Sequence, residues 1–447
     1  MGISQQSIRE RFNVAKPNEA RGAFFWLSAF FLVYSTRPED WIPGLSYIPL
    51  AKISVVFAVV ALFLAMGRTR RKLKDLPRES KYLLALIVLM LLFAPLSPVW
   101  KGGALLRALD FAKVYIGWVL TYLLVTNLER LRRLILIQSV SVALVALISI
   151  FKGSSQLRLH GVLNGIYGNP NDLAFAIVLT IPLILLLLLT SGNIIQKMLW
   201  AAAIVVMLYT LFLTASRAGF VDLVISASVA LWFFGVKGKR PALIFTSALV
   251  GVLLLVMAGR HLGERWIAIT GTDIDSSDKM TAYWTYQERK FLMVKAVDGI
   301  LHYPLTGVGT GVFPAYSRHW KTVHMTYLQI AVEAGLPALV LYLLFFGAGF
   351  RKLRELLRKP DPKSEITMFA WALYCSLLGF AVGACFAPEA YQFFPYFTVA
   401  YISALSATVR EQQMDAEGAA SVPAPFGLRF AKKYGKYGQT RPVHLVR

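Results

Sequence analysis

A few arginines, one histidine and two turn motifs are the residues of this chain whose types and spacing could do chemistry. Gly168-Asn169-Pro170-Asn171-Asp172 opens an apolar stretch. Asn169 suits an N-cap, Pro170 the first helical position, and Asp172 the positive end of a helix. Capping alone accounts for these residues. With Arg158 and His160 just upstream, the same helix start could instead aim backbone N–H groups at an anionic ligand. Ser216-Arg217-Ala218-Gly219 falls where two further apolar stretches meet. An arginine there can simply snorkel, whereas near a helix centre it would cost about 2.5 to 3.5 kcal/mol. Yet Arg217 is the lone charge of a very tight turn, and Gly219 lets a ligand come close.

A long polar segment carries the rest. From Arg289 through Phe291, Val294, Val297 and Leu301 the spacing predicts an amphipathic helix lying on a membrane surface. It ends in Pro304-Leu305-Thr306-Gly307-Val308-Gly309-Thr310-Gly311. No strand leads into this glycine run, so it is not a dinucleotide fingerprint; it is backbone that must pass close to something. His324-Met325-Thr326-Tyr327-Leu328 follows at the start of an apolar stretch. A lone interfacial histidine is usually structural, but its pKa near neutrality also suits proton transfer. Asp273-Ile274-Asp275 has the spacing of a metal-binding acidic pair, but among Ser276, Ser277 and Asp278 a solvated loop is the simpler reading, and no metal or cofactor is expected.

The elements that must position these groups are membrane helices. The chain has 447 residues, 57% of them hydrophobic and 16% charged, with mean hydropathy +0.57, well above a soluble domain. Apolar stretches of membrane-spanning character lie at 22–36, 47–66, 82–96, 106–126, 134–151, 171–190, 198–215, 220–234, 242–258, 323–346, 367–386 and 391–409. The expected fold is therefore all-α: a polytopic integral membrane domain over residues 1–411 with about twelve transmembrane helices. Basic clusters follow the second, fourth, eighth and tenth stretches, among them Arg70, Arg71, Arg132, Lys239, Arg351 and Lys352, which puts those loops and both termini in the cytoplasm. The large loop 260–322 then faces outward. Residues 412–447, basic and rich in Pro near Val422, read as a disordered cytoplasmic tail. The net charge of +23 belongs to these loops and the tail, so nucleic-acid binding is rejected. Cys375 and Cys385 are too far apart along one helix for a disulfide and read as packing residues.

Taken in order, Arg158 before Gly168-Asn169-Pro170-Asn171, then Ser216-Arg217-Ala218-Gly219, Arg289 ahead of Gly307-Val308-Gly309, His324-Met325-Thr326-Tyr327-Leu328-Gln329 and Glu333-Ala334-Gly335-Leu336 resemble the O-antigen ligase and polymerase family over about residues 158–350. That resemblance implies a GT-C-like glycosyltransferase of the bacterial inner membrane. Such an enzyme takes a glycan from an undecaprenyl-diphosphate donor on the periplasmic side and passes it to an acceptor glycan or glycolipid. Arg217 and Arg289, with Arg158, would bind the donor diphosphate, and His324 would act on the acceptor hydroxyl. Asn169, Gly309 and Tyr327 are further candidates. Methionine follows the histidine where the family often has asparagine. Glu333, nine residues on, is expected across the helix from His324 as a buried pairing group.

Two other classes compete. A twelve-helix transporter would place its long loop in the cytoplasm between spans six and seven, where Ser191 to Lys197 is short, and would show similar halves. A scaffold protein would not need Arg217, Arg289 and His324 to converge.

Overall fold

The computed structural model describes residues 20–42, 44–65, 69–152, 159, 167–252, 256 and 277–421. Arg158, His160, Asp273 and Asp275 lie outside them. Every described element is helical: α1 (Arg21–Thr36), α2 (Leu50–Leu64), α3 (Arg78–Phe93), α4 (Lys101–Leu124), α5 (Leu128–Lys152), α6 (Pro170–Thr190), α7 (Ile194–Leu213) and α8 (Arg217–Ala230). Then come α9 (Pro241–Val252), α10 (Ser277–His302), α11 (Thr326–Ala334), α12 (Leu336–Leu356), α13 (Glu365–Gly383) and α14 (Phe393–Ser421).

The chain is a polytopic membrane protein. Among the described residues, seven segments are long and apolar enough to cross a bilayer: 78–96, 128–152, 170–190, 194–213, 217–237, 336–356 and 365–383. The expectation of about twelve exceeds this for identifiable reasons. Helices α1, α2 and α9 are too short by themselves, since about 20 residues are needed. Helix α4 is long, but Lys101, Arg107, Asp110 and Lys113 interrupt its apolar run.

Helices α6 and α13 pack on each other at the centre and are the most enclosed, with 72% of each apolar window buried. Helix α8 leans on both, and α5 and α7 flank α6. Aromatic side chains seal α1 to α14: Phe31 lies 4.6 Å from Phe397, and Tyr34 stacks on Phe393 at 5.1 Å. Arg71, expected as a loop charge, is buried. Its guanidinium donates to the Tyr122 and Val125 carbonyls at 2.8 Å, supplying partners to the end of α4 that the helix itself cannot. Helix α14 runs to Ser421.

The stretch 323–346, expected as one helix, is two. Gly335 at φ +88° ends α11 and Pro337 restarts the chain as α12. Irregular backbone at such a break needs partners. The glycine run supplies them: Val308 and Gly309 N–H groups donate to the Val332 and Glu333 carbonyls at 2.8 and 3.0 Å, and Leu336 N–H donates to the Pro304 carbonyl at 2.8 Å. Beneath this strap Leu292 and Ala296 of α10 form a small core with Val308, Phe313, Val323 and Val332. The face of α10 picked out from sequence, Val294, Val297 and Leu301, is the exposed one. The buried face was not anticipated, because Ala296 and Gly299 carry little hydrophobic signal.

Candidate functional site

Two helix starts, distant in sequence, are bonded to each other. Asn169 caps α6 by accepting the Asn171 N–H at 3.0 Å, and Ser216 caps α8 by accepting the Gly219 N–H at 3.1 Å. The Ser216 hydroxyl in turn donates to Asn171 Oδ1 at 2.8 Å. A Cβ on Gly219 would lie 2.7 Å from the Ala174 Cβ, so glycine is what lets α8 approach α6 this closely. Ala215, at φ +48°, makes the sharp reversal from α7. These constraints fix the half-buried Arg217 as the first residue of α8, beside the partial positive charge of the helix start.

His324 does not stand on a helix. It belongs to the loop before α11, and its Nδ1 lies 3.0 Å from the Thr322 carbonyl. The helical-face argument for Glu333 is therefore overturned, since the two residues do not share a helix. Burial pushes the His324 pKa below the usual histidine value, and the positive charge of Arg289 pushes it the same way. Arg289 of α10 and His324 are thus neighbours, with Glu288 and Lys321 weaker contributors. Lys321 pairs with Glu288 at 2.7 Å, and His319 packs its ring 4.4 Å from Phe291; both hold the 318–324 loop to α10. With Nδ1 directed at a carbonyl, a neutral imidazole donates there and leaves Nε2 as the basic nitrogen.

The hairpin between α13 and α14 connects the two halves of the site. Thr326 N–H donates to the Ala384 carbonyl at 2.8 Å, its hydroxyl to the Ala387 carbonyl at 2.7 Å, and it accepts from Glu389 N–H at 2.9 Å. On its other side the hairpin meets the helix starts: Gly383 and Ala387 wall a cavity of about 10 Å³ with Asn171, Phe175, Ala218, Gly219 and Asp222. Beside it Asp172, Phe175, Ala176 and Tyr167 wall a second with Glu389 and Gln392. Each has a volume close to that of a single water site.

Sequence reasoning missed Glu389 and Asp222, and gave Asp172 only a helix-end role. Glu389 and Asp172 face one small cavity together, with Glu389 Oε1 and Asp172 Oδ1 both unpartnered, and Asp222 is 1% exposed with neither carboxylate oxygen partnered. The signal existed: acids inside or between apolar stretches, as in Ala387-Pro388-Glu389-Ala390, are functional candidates by default.

The remaining candidates serve the frame. Gly309, at φ +114°, passes Ser97, whose Oγ would be 2.7 Å from an added Cβ; what the strap passes close to is protein. Tyr327 donates its hydroxyl to the Ala381 carbonyl at 2.7 Å. Glu333 is a buried pairing group, accepting from Tyr391 Oη at 2.6 Å and Gly311 N–H at 3.0 Å. Cys375 is buried and Cys385 exposed, both as free thiols. Among the described residues no group of three or more His, Cys, Asp or Glu side chains could hold a metal ion.

Residues 202–343 match the family model described as O-Antigen ligase. The matched segment includes Arg217, Arg289 and His324 and leaves Asn169, Asp172 and Glu389 outside. No curated protein matches the chain. The match spans about a third of the chain and agrees with the family resemblance seen in the motifs.

Proposed function

We propose that this chain, as a member of that family by its 202–343 segment, transfers a glycan from an undecaprenyl-diphosphate donor to an acceptor hydroxyl on the periplasmic face of the inner membrane. It works in the ligase mode, feeding lipopolysaccharide or another surface polysaccharide. The observation that carries the reading is that His324, largely buried in the loop before α11, lies close enough to Arg289 for the arginine's charge to lower its pKa. Arginine offers fixed forked donors that stay protonated and match phosphate oxygens. Arg217 and Arg289, with Arg158, hold the diphosphate and offset the charge that grows on it as the anomeric C–O bond breaks. His324 takes the acceptor proton as the oxygen attacks the anomeric carbon; the lipid diphosphate departs, and the proton is later released to solvent. Donor binding brings negative charge to Arg289, which relieves its depressing effect on His324 and makes the base stronger in the complex than in the free enzyme.

The wider frame of this proposal is a GT-C-like domain of about twelve spans, with residues 260–322 outside and both termini in the cytoplasm, working without metal or cofactor. A repeat-unit polymerase is the second reading, favoured by the same residues with another glycan as acceptor. The transporter reading is not pursued further, because it gives Arg289 and His324 no joint task. The test is reconstitution of the purified protein with a lipid-linked glycan and candidate acceptors. Single addition to a glycolipid supports ligation, and products of graded length support polymerisation. No transfer to either, with donor bound, would refute glycan transfer.

A further inference from the structure

Helix α6 begins with an acid whose partner is another acid. Asp172 stands in the first turn of α6, and Glu389, 2% exposed, sits in the hairpin between α13 and α14. The two side chains line one small cavity with Tyr167, Phe175 and Gln392, close enough to act on each other directly, and Asp172 Oδ1 and Glu389 Oε1 have no other partner. Two carboxyl groups can bond directly only if one of them carries a proton. Each end of this contact leads to half of the site. From Asp172 the α6 start continues through Asn171 to Ser216 and the turn that presents Arg217. From Glu389 the backbone N–H reaches Thr326 Oγ1, two residues beyond His324.

We propose, building on the reading above, that Asp172 and Glu389 share one proton as a latch. It holds the 384–392 hairpin, and with it the loop of His324, against the helix starts that present Arg217. Both are positioning residues; neither touches the reacting atoms. The pair suits the task because its strength depends on the shared proton. Burial raises the Glu389 pKa well above the usual carboxylate value, and the Asp172 charge raises it further. The pair therefore keeps its shared proton to higher pH than an isolated carboxyl would and loses it as pH rises. Once both groups are ionised they repel, and the latch opens. The other titratable groups facing the pair are Tyr34 of α1, Tyr342 of α12, Tyr167 and, across Phe175, Asp222 of α8. Arg37 acts on Tyr34.

The test uses the full chain in detergent or nanodiscs. Glu389→Gln can donate an amide N–H to an ionised Asp172, so it keeps the contact without needing the shared proton. Its turnover at neutral pH should stay within about threefold of wild type, and the alkaline fall in turnover should vanish. Glu389→Ala should lose about tenfold or more in kcat with donor binding nearly unchanged, a pattern that removal of a direct ligand would not give. Hydrogen–deuterium exchange supplies a readout free of activity. Compared at the same pH, the 384–392 amides should match in wild type and Glu389→Gln at neutrality and exchange faster in wild type at alkaline pH. Identical alkaline behaviour of the two proteins, or full turnover in Glu389→Ala, overturns the latch. Wild type that shows the exchange difference but transfers no glycan would refute the proposed function and leave the latch standing.

Discussion

Ser216 donates a 2.8 Å hydrogen bond to Asn171 Oδ1, and this one contact joins the starts of α6 and α8. Ser216 also serves its own turn, accepting the Gly219 N–H at 3.1 Å, while Asn171 gives its backbone N–H to the Asn169 cap at 3.0 Å. Loss of an N-cap typically costs about 0.5 to 2 kcal/mol. Ser216→Ala should lower thermal stability in detergent by that order, Asn171→Ala by about 1 kcal/mol for the lost hydrogen bond, and both should reduce turnover. Because they share a partner, the double variant should be less destabilised than the summed singles, by about 0.5 kcal/mol or more. Strict additivity in a double-mutant cycle would show that the two helix starts are held independently.

Arg217→Lys and Arg289→Lys should each lose most of their activity while keeping their charge. Lysine cannot make the two-pronged contact to phosphate oxygens. Donor affinity, measured with a labelled lipid diphosphate, should fall in both. Near-normal affinity and turnover in both lysine variants would reduce the arginines to interfacial anchors.

His324→Ala should lower the rate by about 10² to 10⁴, the usual contribution of a general acid or base, with donor binding and detergent stability close to wild type. The pH profile gives an independent check. Burial and Arg289 both lower the His324 pKa, so the neutral base persists below the ordinary histidine range of about 6.5. Activity should therefore fall on the acid side only below that range in kcat/KM. In kcat, which reports the donor complex, the acid limb should lie at higher pH. An acid limb at the same position in both profiles would mean that the diphosphate does not approach Arg289.

Gly335 and Gly251 should respond in opposite ways to alanine. At Gly335, φ is +88° and an added Cβ would fall 2.1 Å from the Leu305 carbonyl oxygen. Gly335→Ala should destabilise the strap by about 2 kcal/mol or more and abolish turnover. At Gly251 in α9 nothing lies within 4 Å of the new atom, and helix propensity favours alanine by roughly 0.5 to 1 kcal/mol. Thermal denaturation followed by size-exclusion chromatography distinguishes them; equal behaviour would contradict the described break between α11 and α12.

Activity with purified donor should survive EDTA, because arginines are proposed to carry the diphosphate. Loss on chelation with rescue by Mg²⁺ or Mn²⁺ would promote acids such as Asp273 and Asp275. Glu39 and Asp40, between α1 and α2, already pair with Arg37.

The sequence by itself determined that the chain is a membrane protein, because apolar runs follow directly from composition and length. It also marked the start of α6 and placed a tight turn at Ser216. Asn169-Pro170 and Ser216 cap through bonds to residues two or three positions away, and interactions that local are written in adjacent letters. The glycine run could be read as a close backbone passage, because positive φ leaves few other residues. Only the tertiary structure decided what the passage was for. The strap's partners, Val332 and Glu333, lie more than twenty residues away across a helix break that hydropathy, averaged over a window, smooths into one continuous span. The same holds for the site. Arg289 and His324 were each legible as candidates, but their proximity depends on α10 folding back over α11 through Leu292 and Ala296. Glu389 was passed over because a single acid beside a proline looks like an ordinary loop. Its meaning comes from Asp172, which pairs with it only once α6 and α13 are packed. Local bonds and average hydropathy are properties of the chain; the pairing of buried polar groups is a property of the fold, since each is stable only where another element supplies its partner.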